Sequence, residues 1–206
     1  MLHLETVEPA TLDLLKKLQG STLLKDCRLV GGTSLALQIG HRKSIDLDFF
    51  GQVDAMPEEI EEELRQFGDL QVRKNSGNIH LFVLNGIHID VVNFPFTWQK
   101  DLVQTEGLRL AHMEDIAAMK ITAIIGRGTK KDFVDIATLL ETYSLKQILS
   151  FYEAKYPNAS SFMALKSLSY FEDAEPQPMP FMFSNLSWED AKRRVLQAVQ
   201  TLGQLE

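Results

Sequence analysis

The apolar pattern along the chain changes character near Pro95: short runs with a period of two dominate before it, and a helical period dominates after it. Residues 8–18 read as a helix, with Leu12, Leu14, Leu15 and Leu18 as the apolar stripe and Thr11 as a candidate N-cap. Residues 27–30 follow as a strand, and Leu29 to Phe50, LVGGTSLALQIGHRKSIDLDFF, as strand, glycine turn, short helix and second strand. Pro57 and the glutamates after it suit the start of a helix that Gly68 ends. Its acidic run, Glu58 to Glu63, reads as a solvent face. Residues 70–74, 79–84 and 87–93 alternate as strands joined by Asn75-Ser76-Gly77-Asn78 and Asn85-Gly86, which predicts an antiparallel meander.

Beyond Pro95 the chain is expected to be all helix. Helices are predicted over 112–126, from Thr129 onward, and over 145–156, 160–170 and 188–202, with a proline-rich irregular segment at 173–184. The fold class is therefore α+β: a mixed β-sheet with flanking helices, followed by a C-terminal helical half. The expected domains are 1–95 and 96–206, packed against each other.

Composition narrows the function classes. The chain has 206 residues, is 45% hydrophobic and carries a net charge of -7, which argues against indiscriminate nucleic-acid binding. Local basic clusters remain: His41-Arg42-Lys43, Arg127 with Lys130-Lys131, and Lys192-Arg193-Arg194. No apolar run approaches the roughly 20 residues that span a bilayer, and the acidic N-terminal stretch does not read as a signal peptide. A cytoplasmic protein with no membrane association is expected. Cys27 is the single cysteine, which leaves neither an internal disulfide nor a cysteine zinc cluster.

The chemistry concentrates in two places. On a strand, Asp46 and Asp48 share a face opposite Ile45, Leu47 and Phe49, and two like charges side by side invite a cation between them. Hard ions such as Mg²⁺ favour carboxylate oxygens. Gly31 and Gly32 permit close backbone approach, and Thr33-Ser34 would open a helix whose N-terminus suits an anion. Asp90, on the strand 87–93, is a third acid. In the helical half, Lys120 falls on the buried stripe of Met113, Ile116, Ala117 and Ile124, and by spacing alone it would snorkel. Thr129 and Asp132 form a capping-box-like start to the next helix, where Asp132 and Asp135 lie together.

Paired glycines, about a dozen residues, then Asp-apolar-Asp resemble the signature of the DNA polymerase β-like nucleotidyltransferases. The stretch GGTSLALQIGHRKSIDLDFF is similar to their AbiEii/AbiGii toxin-type branch. The resemblance implies transfer of an NMP from an NTP to an acceptor, with pyrophosphate released and one or two Mg²⁺ ions as cofactor. It implies metal binding by Asp46, Asp48 and Asp90, and triphosphate contacts from Gly31, Gly32, Thr33, Ser34, Arg42 and Lys120. DIAAMKITAI resembles the family's Asp-x-x-x-Lys helix, here with Asp115 to Lys120 one residue longer. KKDFVDIATL resembles its final motif, which gives Asp135 the role of positioning the lysine or the nucleotide. Relatives are toxins of two-gene toxin–antitoxin systems and some modify tRNA, which implies a separate antitoxin partner and makes Arg127, Lys130 and Lys131 candidates for the acceptor backbone.

Two other readings stay open at this point. A catalytically inactive member of the fold would bind a nucleotide or RNA without chemistry, and a metal-dependent phosphoester hydrolase would use the same carboxylates. The bland reading of Asp-Leu-Asp is a pair of solvated positions on an edge strand.

Overall fold

The computed structural model describes residues 1–204. The chain forms two compact units, Met1–Pro95 with Leu102–Ala111, and Phe96–Asp101 with His112–Glu206. No helix among the described residues is long and apolar enough to cross a membrane.

The first unit is a seven-stranded mixed sheet. Its elements are α1 (Pro9–Gln19), β1 (Cys27–Leu29), α2 (Gly31–Ile39), β2 (Leu47–Gly51), α3 (Pro57–Arg65), β3 (Leu70–Ser76), β4 (Ile79–Leu84), β5 (Ile87–Asn93), β6 (Val103–Thr105) and β7 (Leu108–Leu110). The strand order is β3-β4-β5-β2-β1-β7-β6. β3, β4 and β5 form the antiparallel meander, and β5 then lies parallel to β2. Asn85 and Gly86 both take positive φ at the β4–β5 turn, as a tight hairpin of this hand requires.

The residues after Pro95 are not all helical: β6 and β7 make a second hairpin through Glu106-Gly107, and β7 docks parallel to β1 at Leu29 and Leu110. Arg109 on β7 ties this edge down, its guanidinium donating to the carbonyls of Gln19 (2.8 Å), Leu24 (2.9 Å) and Cys27 (3.4 Å). A guanidinium spent on three carbonyls satisfies groups that burial would otherwise leave unpaired.

One continuous core joins the sheet to its helices, with Leu15 and Leu18 of α1, Ile60 and Leu64 of α3, and Leu29, Leu47, Phe49, Ile89 and Val91 of the central strands. Thr11 is buried in the third position of α1 and does not cap it; Glu8 holds the N-cap position and Pro9 opens the helix. Cys27 is buried, and burial pushes its thiol up to about 12, which suits a core filler and not a nucleophile.

The second unit holds α4 (Met113–Gly126), α5 (Lys130–Leu139), α6 (Leu145–Lys155), α7 (Ser161–Leu168) and α8 (Trp188–Gly203). Ser144, Ser160 and Ser187 cap the last three through side-chain oxygens that accept backbone N–H bonds. Phe133, Phe171 and Trp188 pack edge-on or tilted at centroid separations of 4.8–6.0 Å, which fastens the irregular segment between α7 and α8 onto α5.

Candidate active site

In the first unit the acids sit on the central strands. β2 alternates buried Leu47 and Phe49 with half-buried Asp48 and Phe50, so Asp48 leaves the core while its neighbours fill it. β2 and β5 pair in parallel with Asp48 directly opposite Asp90, and the two carboxylates therefore stand side by side on one face. β2 begins one residue later than Asp46, and Ile45, expected on the same face as Leu47 and Phe49, is exposed while they are buried. Asp46 contributes its carbonyl, which accepts a hydrogen bond from the buried Thr33 hydroxyl. Among the described residues no three His, Cys, Asp or Glu side chains form a group able to hold a metal on their own.

The α2 N-terminus lies against this pair. The helix starts at Gly31 itself and not at Thr33, with Gly31 at φ +68°. A Cβ there would come within 2.1 Å of Asp48 Oδ2, and one on Gly32 within 2.2 Å of Arg42 Nη2. Glycine is therefore favoured at Gly31 by conformation, and a side chain at either position would have to displace the Asp48 carboxylate or the Arg42 guanidinium. The first intrahelical bond runs from Ser34 N to the Val30 carbonyl. The N–H groups of Gly31, Gly32 and Thr33 thus have no intrahelical acceptor, and they carry the positive end of the helix dipole.

The two hydroxyls serve the protein. Thr33 is fully buried and its Oγ1 also lies 2.9 Å from Ser44 Oγ, while Ser34 is buried with its oxygens near Gln38 Nε2. What this helix end offers an anion is therefore backbone N–H groups and the buried Arg42, whose Nη1 donates to the Lys43 carbonyl at 2.9 Å.

In the second unit, Lys120 does not snorkel. Its side chain is 5% exposed, and Nζ lies 2.9 Å from Asp132 Oδ1 and 2.5 Å from Asp135 Oδ2, both acids being fully buried. The expected capping box does not form, as Thr129 at the N-cap makes no side-chain cap bond; Asp132 instead accepts from Arg127 Nε at 3.0 Å and from Thr129 Oγ1 at 2.6 Å. Burial alone would raise its pKa, but Lys120, Arg127 and Thr129 outweigh that and hold the carboxyl well below the usual range.

The three acceptor candidates part company. Arg127 has a side chain 58% exposed, and Lys131 is half-buried. Lys130 is buried, donates to the Glu175 carbonyl at 3.0 Å and sits 4.8 Å from the centre of the Trp188 ring, so its charge faces the interior.

Asp115 forms a separate buried pair with Lys155 at 2.6 Å, and accepts backbone N–H bonds from Gln99 and Lys100. It anchors residues 96–101 to the second unit. The sequence gives Lys155 no special place on its helix, and only its partner, distant in sequence, explains its burial. Asp132 could have been found from Lys120, because a lysine on a buried stripe needs a buried counter-charge.

Comparison with known proteins bears on what this arrangement does. The family model described as nucleotidyl transferase AbiEii toxin, type IV toxin–antitoxin system, matches residues 13–86 and 88–203. An uncharacterized protein of Aquifex aeolicus (strain VF5) is 31% identical over 175 residues, which are 80% of this chain and 83% of that protein. Among solved structures, JHP933 from Helicobacter pylori superimposes with a TM-score of 0.59 at 16% identity, covering 96% of this chain and 94% of its own. MenT4, a nucleotidyltransferase toxin from Mycobacterium tuberculosis H37Rv, does so with a TM-score of 0.53 at 17% identity, covering 97% and 87%. The two structural likenesses show the fold, and the family match spans nearly the whole chain: the protein belongs to the AbiEii family of nucleotidyltransferase toxins.

Proposed function

We propose that this nucleotidyltransferase moves an NMP from an NTP to a nucleic-acid acceptor, tRNA being the first candidate, as the toxin of a pair with a separate antitoxin. The observation that carries the reading is the in-register pair of Asp48 and Asp90 beside the glycine-bearing N-terminus of α2. Carboxylates and an anion-binding helix end rarely share a site unless a cation mediates between carboxylate and phosphate.

Magnesium fits this donor set, since it is commonly held by one or two carboxylates with waters and substrate phosphate oxygens completing its shell. Asp48 and Asp90 would hold it, with Asp46 next to the strand but not grouped with them, and when bound it would supply charge neutralisation at the α-phosphate. The backbone N–H groups of Gly31, Gly32 and Thr33, with Arg42, would hold the triphosphate. Ser34 keeps the helix start packed. The phosphate-binding lysine of the family motif falls on Lys120, whose ammonium Asp132 and Asp135 hold within the second unit. Of the basic residues, Arg127 and Lys131 are the ones proposed to meet the acceptor.

The test is incubation of the purified protein with each α-labelled NTP, Mg²⁺ and total tRNA, with Asp48→Asn alongside. Label on RNA that requires Asp48 is the expected result. Mg²⁺-dependent NTP binding without any transfer would instead favour the inactive binding module.

A further inference from the structure

The second unit contains an open cavity of about 550 Å³ at the C-terminal end of α4, against α7 and the residues after it. Its wall combines apolar Ile125 and Met163, the aromatic ring of Tyr170, the cations Arg127 and Lys166, and the carboxylate of Asp173. Tyr170 is 48% exposed and Met163 43%, so the apolar part of this wall meets solvent. The volume lies within the range of small-molecule and cofactor sites.

We propose that this cavity takes one nucleotide unit of a single-stranded nucleic acid. Each part of the wall has a counterpart in that ligand. A base has a π face that stacks on an aromatic ring whatever its identity, and Tyr170 with Met163 and Ile125 makes a platform for one. Lys166 and the exposed Arg127 supply two positive charges for the backbone phosphate, in a chain whose overall charge is -7. Glu172 accepts from the Tyr170 hydroxyl at 3.2 Å, and Asp173 adds a carboxylate to the wall. The wall thus combines a ring for a base, two cations for a phosphate and a carboxylate for exocyclic amines. A peptide segment would use the apolar wall but leaves the exposed ring together with two cations unexplained.

Arg127 gives the cavity a second property. Its Nε is bound to Asp132, which in turn holds Lys120, so the residue on the cavity wall is one bond removed from the buried lysine cluster. The inference rests on the reading that the acceptor is a nucleic acid.

The experiment measures fluorescence anisotropy of a labelled single-stranded oligoribonucleotide of mixed sequence against the full chain, in a series of salt concentrations. Variants are Tyr170→Ala, Tyr170→Phe and Lys166→Ala, all at exposed positions. Tyr170→Ala should weaken binding on the order of five- to a hundredfold, and Tyr170→Phe should bind like the wild type because it keeps the ring. Lys166→Ala should lower the slope of log K against log salt by about 0.7, the signature of one lost phosphate contact on a single strand. Equal binding by wild type and Tyr170→Ala, or an unchanged salt slope in Lys166→Ala, overturns the proposal. In the same samples the label-transfer assay separates the two levels. Transfer to RNA with pocket variants that bind normally sinks the cavity alone, whereas no oligonucleotide binding and no transfer to RNA by the wild type sinks the acceptor reading with it.

Discussion

Replacing Lys120 with methionine keeps most of the side chain's length and apolar stem but removes the charge that faces Asp132 and Asp135. Both acids are fully buried, so neither gains water when the ammonium goes. Breaking a buried pair by removing one partner costs about 3–5 kcal/mol. Asp132 keeps Arg127 and Thr129, which puts the expected loss at the lower end, about 3 kcal/mol, or a fall in Tm of about 6–12 °C for a chain of this size. Urea unfolding followed by tryptophan emission is the assay, because Trp98 and Trp188, the two tryptophans, both lie in the second unit. Adding Asp135→Asn should recover about 1 kcal/mol or more, since a neutral amide no longer needs the cation. A Lys120→Met variant within about 0.5 kcal/mol of the wild type would refute the reasoning, because a change that small is what a solvated surface lysine gives.

Two further predictions follow from the same geometry. Gly31→Ala would force a Cβ into the Asp48 carboxylate at a φ of +68°, so NTP binding should weaken markedly while Gly203→Ala, where a Cβ meets nothing within 4 Å, leaves it unchanged; equal binding by both variants would contradict the packing described. Acid stability should depend on Asp132: its folded pKa lies below the value of 3.8 for an unperturbed aspartate, so its contribution is complete above that pH and is lost as pH falls through the range below it. Between pH 4 and lower values the wild type should lose stability more steeply than Asp132→Asn, by up to about 1.4 kcal/mol per pH unit for one proton. Parallel curves would be inconsistent with a strongly shifted Asp132.

The parts of the fold that could be read from sequence are those governed by local rules. The strands 79–84 and 87–93 fall where alternation and the Asn-Gly turn place them, and Gly31 sits at a positive φ beside the acidic strand. The hairpin at 103–110 was hidden because each strand has three residues, too few to establish a period, and its Glu-Gly turn is a weak signal. Asp48 opposite Asp90 required knowing that β5 pairs with β2 in parallel, a long-range choice that no local pattern carries. The same holds for the buried charges. Asp132 looks like a cap from its neighbours, and Lys155 looks like a helix surface residue, until the partners Lys120 and Asp115 are brought to them. Lys130 shows the reverse, a cation that the resemblance offers to an acceptor backbone and that packing turns inward against Trp188.

The central claim is that Asp48 and Asp90 act as one site, and a double-mutant cycle on the rate of NMP transfer tests it most directly. Each of Asp48→Asn and Asp90→Asn should lower the rate by at least about a hundredfold, and the double variant should be no slower than the worse single, as groups that work as a unit are grossly non-additive. Losses that multiply, or a single variant that transfers at the wild-type rate, would contradict the account.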